Sequence, residues 1–224
     1  MKRFNKLFIS LVSIVLALCV TLSVGFACNP GETKGGDEEI SFEGTHIYNK
    51  TITSKEFIKN GKTNYRLVVP ENPTENESLA KAEFAKFWEK ATGYQIGVIR
   101  DTDLTHAKGQ KYISLGNTSL LRTSGMLEIP EGDTPYDVLY KTLEYDGVRI
   151  KTIDDNIYMI GGSDFGTVYS SYVMLELLFN FDTYYIDCFE LDTVKNMNFP
   201  ELDVTDIPDI AFRGGSVAYQ RLYK

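Results

Sequence analysis

Apolar and polar positions recur along the chain with periods that predict both helices and strands. Residues 75–92 carry apolar side chains at spacings of three and four, the period of a helix with one buried face. Thr74 and Glu77 occupy the positions of an N-terminal capping box, and Gly93 is placed to end the helix. The predicted buried face consists of Ala80, Phe84, Phe87, Trp88 and Ala91.

A second helix is predicted over residues 164–178. Ser163 or Asp164 can cap its first turn. Helical spacing then relates six apolar residues, which are Phe165, Val168, Tyr169, Tyr172, Leu175 and Phe179. Because this segment is apolar nearly all round, we expect it to be more buried than the helix over 75–92.

The glycines that precede this helix raise the question of a phosphate-binding loop. They stand at positions 161, 162 and 166, which matches neither G-x-G-x-x-G nor a P-loop. No lysine follows to meet a phosphate. We therefore interpret these glycines as a sharp strand-to-helix turn with close backbone packing.

Strand-like runs fill much of the remaining chain. Alternation and β-branched residues predict strands at 45–52 and 65–70, and Pro70 ends the second of these. Two further strands are predicted at 94–101 and 111–117. A short helix or turn is expected immediately afterwards, in the sequence TSLLRTSG.

Residues 137–162 predict a meander of three short strands. Asp146-Gly147 separates the first two runs as a tight hairpin turn, and residues 154–156 separate the second and third. Farther along, we expect a short strand within 179–192, a polar loop at 193–201 and an extended segment from 206 that enters a new structural unit.

The first 27 residues have the layout of a secretory signal peptide. Three basic residues precede an apolar run from Leu7 to Gly25, and Phe26-Ala27-Cys28 follow. The sequence SVGFACNP resembles a bacterial lipoprotein signal, which implies lipidation of Cys28; plain secretion after Ala27 is the alternative. Residues 28–41 predict a flexible tether. We expect a lipid-anchored protein on the outer face of a bacterial cell membrane.

Charge and cysteine content exclude several classes of protein. The formal net charge is −8, which argues against nucleic acid as a partner, because phosphate backbones are bound by basic patches. Cys19 lies in the signal, and Cys188 has no obvious partner. The sequence therefore predicts neither a disulfide framework nor a zinc cluster, and we expect Cys188 to be a small buried residue.

Candidate catalytic and metal-binding residues are sparse. The histidines are His46 and His106, sixty positions apart and without an H-E-x-x-H motif, so we predict no metal and no cofactor. Glycoside hydrolysis needs a pair of carboxylates across the scissile bond. Candidates near the end of the chain are Asp182, Asp187, Glu190 and Asp192, but close acidic pairs are expected by chance among 31 acidic residues.

An ordered set of motifs carries a resemblance to a known domain. The set consists of VVPENPTENESLAKAEFAKFWEKATGYQIGV, YISLGNTSL, DGVRIKTIDDNIYMIGGSDFGTVYSSYVMLELL, DTYYID and a final F-R-G. Over residues 60–215 it resembles the N-terminal accessory domain that precedes the catalytic barrel in family 20 β-hexosaminidases, family 67 α-glucuronidases and related bacterial lipoproteins. The resemblance implies a two-layer α+β fold, in which one mixed β-sheet is covered on one face by two α-helices.

The resemblance also implies a place for the catalytic barrel. Residues 209–214 would form its first strand, and Arg213 would hold sugar hydroxyls as the matching arginine does in family 20. The chain departs from that family's L-M-L-D continuation, since residues 215–218 are Gly-Ser-Val-Ala. The catalytic carboxylates of the family lie on the barrel, so we expect no catalytic residue in this chain.

These observations together predict the domain organisation and function. We expect a signal peptide over 1–27, a tether over 28–41, an accessory α+β domain over 42–205 and the start of a missing barrel, or a tail, over 206–224. The predicted function is a non-catalytic accessory domain that packs against and positions a glycosidase-like barrel of the same parent chain.

Two other functions stay open from the sequence. One is a free-standing carbohydrate-binding lipoprotein whose partner is a glycan, because sugar rings stack on exposed aromatic side chains. Such a site would need several coplanar rings, and the candidates are Tyr65, Tyr94, Tyr112, Tyr184 and Tyr185. The other is a structural surface domain without a ligand. An exposed apolar patch near 206–224 would instead indicate a missing partner domain.

Overall fold

The computed structural model describes residues 45–104, 109–185 and 188–209. Its strands are β1 (Thr45–Lys59), β2 (Tyr65–Val69), β3 (Gly97–Arg100), β4 (Lys111–Leu115), β5 (Val148–Ile153), β6 (Asn156–Gly161), β7 (Asp182–Tyr185), β8 (Cys188–Glu190) and β9 (Asn196–Ile207). Its helices are α1 (Glu75–Thr92), α2 (Ser119–Thr123), α3 (Pro135–Leu143) and α4 (Asp164–Phe179), with a 3₁₀ turn at Asp101–Asp103. The predictions for the signal peptide, the tether, Cys28, His106, Asp187 and Arg213 lie outside these ranges.

Seven of the strands form one mixed sheet in the order β1-β9-β5-β6-β4-β2-β3. Strands β6, β4, β2 and β3 run parallel to one another. Strands β5, β9 and β1 extend the sheet by antiparallel pairing. The remaining strands, β7 and β8, form a separate hairpin. The mixed sheet predicted from the sequence is confirmed.

Helices α1 and α4 cover one face of this sheet, as predicted. The capping box of Thr74 and Glu77 begins α1, and Gly93 ends it in the left-handed conformation with φ 82°. Phe84 and Trp88 are fully buried against the sheet, which stabilises the fold by roughly 1.5–3 kcal/mol for each side chain before entropy. The more buried helix is α4, with nine of its 16 residues buried against seven of 18 in α1.

The opposite face of the sheet carries a second, smaller cluster that the sequence did not predict. Side chains alternate between the two faces of β6, so Tyr158 and Ile160 point away from α1 and α4. They pack with Leu121 of α2 and with Leu139 and Leu143 of α3. The short helices α2 and α3 therefore cover part of this second face.

The predicted three-stranded meander is wrong in its first strand, because residues 135–143 form α3. Thr134 and Asp137 make a capping box, and Pro135 lies in the first turn, where its missing N–H costs no hydrogen bond. The tight hairpin lies at Asp154 and Asp155, whose φ angles are 51° and 62°, rather than at Asp146-Gly147. Two consecutive positive φ angles are what a type I′ turn between antiparallel strands requires.

Two further predictions are corrected near the end of the described chain. Strand β9 begins at Asn196, inside the predicted loop 193–201, because residues 196–201 pair with β1. It continues to Ile207. Cys188 is exposed on β8 and not buried. In the described ranges, no helix has the length and apolarity that crossing a membrane requires.

Candidate functional site

The glycine-rich stretch forms a structural joint between β6 and α4. Ser163 caps α4 by accepting a hydrogen bond from the Gly166 N–H at 3.0 Å, and its own hydroxyl donates to the Tyr145 carbonyl at 2.7 Å. The Gly162 N–H donates to the Gly147 carbonyl at 2.9 Å. Protein groups thus already accept from two backbone donors of this turn, the N–H groups of Gly162 and Gly166, to which a phosphate could otherwise bind.

Close backbone packing explains why these positions are glycine. A β-carbon on Gly162 would overlap the carbonyl oxygen of Glu144, and one on Gly161 would overlap the backbone of Gly166. A β-carbon on Gly166 would lie 2.9 Å from the Tyr145 carbonyl oxygen. The loop before β5 therefore lies directly against the start of α4, as the sequence interpretation of close packing expected.

A buried carboxylate joins four elements next to this turn. Glu77 is only 2% exposed; its Oε1 accepts from the Asn117 N–H at 2.8 Å and from the Tyr136 hydroxyl at 2.6 Å. Its Oε2 accepts from the Thr74 N–H at 2.9 Å. The Tyr136 hydroxyl also lies 3.1 Å from Oγ1 of Thr167. Burial, with the Glu77 carboxylate beside it, raises the pKa of Tyr136, so the phenol stays protonated and donates.

The candidate catalytic carboxylates do not form an enclosed site. Asp182 and Glu190 pair across the β7–β8 hairpin, and both are exposed. Asp192 accepts a hydrogen bond from the side chain of Asn180 at 2.6 Å. A glycosidase separates the roles of its two carboxylates by giving them different environments. Asp182 and Glu190 share one solvated surface, which offers no such difference.

The tyrosines predicted as candidates for sugar stacking differ in their exposure and in their place in the fold. Tyr65 and Tyr112 are 7% and 8% exposed, so neither ring is available to a sugar. Tyr184 and Tyr185 are well exposed on the β7–β8 hairpin, at a point where the strand register shifts between Thr183 and Tyr185. Tyr94 is exposed beside the Lys62 ammonium, which lies 5.0 Å from the ring centroid. These five tyrosines therefore do not form one stacking platform.

His46 lies on β1 between two carboxylates at the end of β9. Its Nδ1 is 2.6 Å from Oδ1 of Asp206, and its Nε2 is 3.4 Å from Oδ1 of Asp209. The Tyr48 hydroxyl donates to Oδ2 of Asp206 at 2.8 Å. The hydrogen bonds to Asp206 and then to Asp209 raise the pKa of His46. Among the described residues, no group of three or more His, Cys, Asp or Glu side chains could hold a metal ion.

We expect His46→Gln to lower the melting temperature at about pH 5.5 and to have little effect at about pH 9. Because the pKa of His46 is raised above 6.5 in the folded protein, its contribution is fully present below the unfolded pKa. That contribution is lost as the pH rises through the folded value. Thermal unfolding of both proteins across this range tests the effect, with NMR titration of the imidazole. A difference in melting temperature that does not depend on pH would contradict it.

A groove of about 220 Å³ opens beside the end of β9, where the described chain leaves the sheet. Tyr169, Tyr172 and Val173 of α4 form its apolar wall, together with Val148 of β5 and Phe181. The three α4 side chains are half-buried, so the outer face of this helix presents apolar surface here. We call this feature the exit groove.

The polar side of the exit groove is acidic. Asp146, Glu176, Asp182 and Asp206 line it, and Pro208 lies at the point where the chain departs. Neither lysine nor arginine is among the described residues that line it. Within the described ranges, the first three of these carboxylates form no ion pair. The groove thus combines an apolar wall with four carboxylates, of which Asp206 is paired with His46.

Tyr172 is fixed in place within the apolar wall. Its ring stacks on Phe181 with the centroids 5.7 Å apart and an interplanar angle of 12°. Its hydroxyl donates to Oε2 of Glu83 on α1 at 3.2 Å. Burial, with the nearby Glu83 carboxylate, raises the pKa of Tyr172 to about 12. The wall is therefore formed before any partner binds.

The exit groove was not predicted from the sequence, although a signal for it was present. The segment 164–178 is apolar nearly all round, and this was interpreted only as deeper burial in the domain. In the structure, Val168, Leu175 and Phe179 face the core, whereas Tyr172 and Val173 are half-exposed. An all-apolar helix at the surface of a domain is a sign that something else covers its outer face.

Solved structures that resemble this chain include glycoside hydrolases of families 84 and 20. A protein named CpGH84D aligns with a TM-score of 0.44 and 12% identity over 80% of this chain and 25% of that chain. The chitobiase of Flavobacterium johnsoniae aligns with a TM-score of 0.40 and 16% identity over 74% and 20% of the two chains. A β-N-acetylhexosaminidase of Streptomyces coelicolor A3(2) gives 0.37 and 13% over 71% and 25%.

All three TM-scores are below 0.5, and the chain spans a quarter or less of the length of these three structures. Family 20 enzymes, which the sequence motifs resemble, are thus among its structural neighbours. No protein-family model and no curated protein matches the chain.

Proposed function

We propose that the domain is a non-catalytic accessory domain of a glycoside hydrolase-like protein, and that it packs against a catalytic domain later in the same parent chain. The observation that carries this proposal is the exit groove. Apolar side chains of α4 remain half-exposed at the point where the chain leaves the sheet, next to Pro208. Surfaces of this kind are typical of interfaces between domains.

The side-chain chemistry of the described residues supports an accessory role over a catalytic one. The polar side chains of Glu77, Tyr136 and Thr167 form hydrogen bonds that join α1, α3 and α4. Buried side-chain nitrogen and oxygen atoms in the described part of the chain all have hydrogen-bond partners. Catalytic groups are usually held in perturbed and incompletely satisfied environments. The motif order that resembles family 20 accessory domains agrees with this assignment.

The experiment begins with the coding sequence after Lys224. If this proposal is correct, the reading frame continues for about 250 residues, enough for a barrel. The polypeptide encoded there, expressed separately, should bind this chain in a calorimetric titration. This chain alone should not hydrolyse an aryl β-N-acetylhexosaminide. A stop codon directly after Lys224, or turnover by this chain alone, would overturn the proposal.

Val173→Glu should weaken that binding at least about tenfold, equivalent to about 1.4 kcal/mol, because a charge would enter an apolar and acidic groove. Val173 is half-buried on α4 and packs against the edge of the core, so the variant must first be shown to melt at the temperature of the parent protein. Leu79→Glu is the matched control, since Leu79 is 46% exposed on the other large helix and outside the groove. Equal binding by both variants would show that the groove is not the interface.

A second candidate function, carbohydrate binding, is tested by the same protein on a glycan array. Tyr184 and Tyr185 supply exposed rings, at 59% and 65% exposure, which is the observation in its favour. Binding that Tyr184→Ala and Tyr185→Ala each abolish would favour a glycan-binding lipoprotein. Secretion and lipidation of Cys28 stay predictions from the sequence.

A further inference from the structure

We propose that the outer edge of β1 is a docking site for a second copy of this chain, which adds its own β1 in the antiparallel direction. The sheets of the two copies then join into one continuous sheet about a twofold axis. Among the described residues that line the exit groove, none belongs to β1. The proposal therefore goes beyond the accessory function and leaves that groove to the downstream domain.

The first half of β1 is a free edge of the sheet in the described part of the chain. Strand β1 lies at one end of the seven-stranded order, and β9 is the one described strand that pairs with residues 45–52. The register of this pairing is regular up to Ile52 and shifts between Ile52 and Glu56. A regular edge strand presents a row of backbone N–H and C=O groups, which is a template for another strand.

Exposed apolar side chains flank this edge on both faces of the sheet. Ile47 is 46% exposed, Tyr48 is 42% exposed and Ile52 is 52% exposed. Because side chains alternate along a strand, Ile47 lies on one face of the sheet, and Tyr48 and Ile52 lie on the other. A partner docked on either face alone would leave part of this set uncovered. A strand added along the edge brings side chains to both faces, so it covers all three.

The cationic side chains of residues 45–52 are bound within their own domain. Edge strands are commonly protected by lysine, because an added strand would have to remove water from its ammonium group. The ammonium of Lys50 instead donates a hydrogen bond to the Leu177 carbonyl near the end of α4. The imidazole of His46 lies between Asp206 and Asp209. The edge therefore lacks the usual protection by a solvated charge over these eight residues.

Charge determines the register in which two copies of β1 can pair. Residues that face each other in an antiparallel pair lie on the same face of the sheet, so the twofold axis lies between one residue and its own copy. An axis at Lys50 would oppose two ammonium groups, and an axis at Tyr48 would oppose His46 and Lys50. An axis at Asn49 avoids both and sets Lys50 opposite the Tyr48 ring. Because like charges directly opposite destabilise a strand pair, Asn49 is the favoured centre.

The oligomeric state of the chain tests this interface. Sedimentation equilibrium over a series of protein concentrations should give a dimer for the parent chain. Ile47→Lys combined with Ile52→Lys should weaken the dimer at least about tenfold, because four apolar side chains of the interface become charged. Val98→Lys is the matched control, since Val98 is 42% exposed on β3, the opposite edge of the sheet. A monomeric parent chain, or equal effects of the two changes, would overturn the proposal.

Opposite charges at the centre of the interface test the register. Asn49 is exposed, and Asn49→Lys or Asn49→Asp alone should weaken the dimer several-fold, because like charges then face each other across the axis. Mixed in equal amounts, the two variants should associate with each other and recover the affinity of the parent chain. Each variant should also keep the melting temperature of the parent monomer. A mixture that associates no better than either variant alone would refute antiparallel pairing centred on Asn49.

Hydrogen exchange of the β1 amides separates a second copy from another occupant. Protection of residues 45–52 should rise with the concentration of this chain alone. Protection that appears only after the polypeptide encoded beyond Lys224 is added would overturn the proposal and give this edge to the downstream domain. The dimer and the accessory function fail separately, because Val173→Glu should leave the dimer intact, and the lysine pair at positions 47 and 52 should leave binding in the exit groove intact.

Discussion

Gly162→Ala should destabilise the domain by about 3 kcal/mol or more, the upper range for overpacking a closed site. The new β-carbon would overlap the carbonyl oxygen of Glu144 and would lie 3.1 Å from the β-carbon of Leu143. Because the main obstacle is backbone, no change of rotamer can relieve it. The loop before β5 would have to move away from α4, and the bond from the Gly162 N–H to the Gly147 carbonyl would be lost with it.

Denaturant unfolding of the variant against Gly97→Ala measures this effect. At Gly97 the nearest atom to a new β-carbon is 3.7 Å away, in ordinary van der Waals contact. Alanine is also less costly than glycine in a strand, so the control should be neutral or slightly stabilising. If Gly162→Ala unfolded at the same denaturant concentration as the control, the close packing of this joint would be refuted. The glycines would then need another explanation, and phosphate binding would again deserve a test.

Glu77→Ala should destabilise the domain by about 3 kcal/mol, because it removes an acceptor from three donors at once. Asn117 N–H, Thr74 N–H and the Tyr136 hydroxyl would lose their partner in a region where Glu77 itself is 2% exposed. Each buried donor left without a partner costs about 1–3 kcal/mol, partly offset where water enters the cavity. The capping box of α1 would be lost as well.

Two further variants separate the contribution of the network from that of helix capping. Glu77→Gln keeps the shape and one oxygen, so Asn117 and Tyr136 can retain their acceptor while Thr74 faces an amide donor. We expect a loss of about 1 kcal/mol for this variant. Glu75→Ala changes an exposed acidic residue of the same first turn and should cost at most about 0.5 kcal/mol. Similar losses for all three variants would mean that general helix electrostatics, not the buried network, accounts for the effect.

Both sites lie where the parallel strands end and the helices begin, an edge that often binds ligands in open α/β sheets. In this domain the same edge is closed by its own residues. The Ser163 hydroxyl accepts a hydrogen bond at the start of α4, and the loop at 144–147 packs over the turn between β6 and α4. Glu77 packs beside Gly116. A β-carbon added at Gly116 would lie 3.0 Å from the carboxyl carbon of Glu77. The exit groove lies away from this edge, on the flank of α4.

Local signals determined those parts of the fold that the sequence predicted correctly. Helix α1 has a capping box, one apolar face and a terminal glycine, all of which act within a few residues of each other. Strand β2 ends before Pro70 for a similarly local reason. Ser163 and the glycines around it likewise predicted a sharp turn into α4. Each of these features depends on neighbours in the chain, so the sequence alone was sufficient.

Only the tertiary structure decided the rest, because those features depend on contacts between distant residues. Residues 137–143 have apolar side chains compatible with a strand. The capping box of Thr134 and Asp137 allows a helix to begin here, and the packing of Leu139 and Leu143 on Tyr158 and Ile160 buries its apolar face. Strand β9 forms from a polar segment because two neighbouring strands supply its hydrogen bonds. The exit groove brings Asp146, Tyr172 and Pro208 together from three separate parts of the chain. Periodicity reports which side of an element is apolar, whereas tertiary packing determines what covers that side.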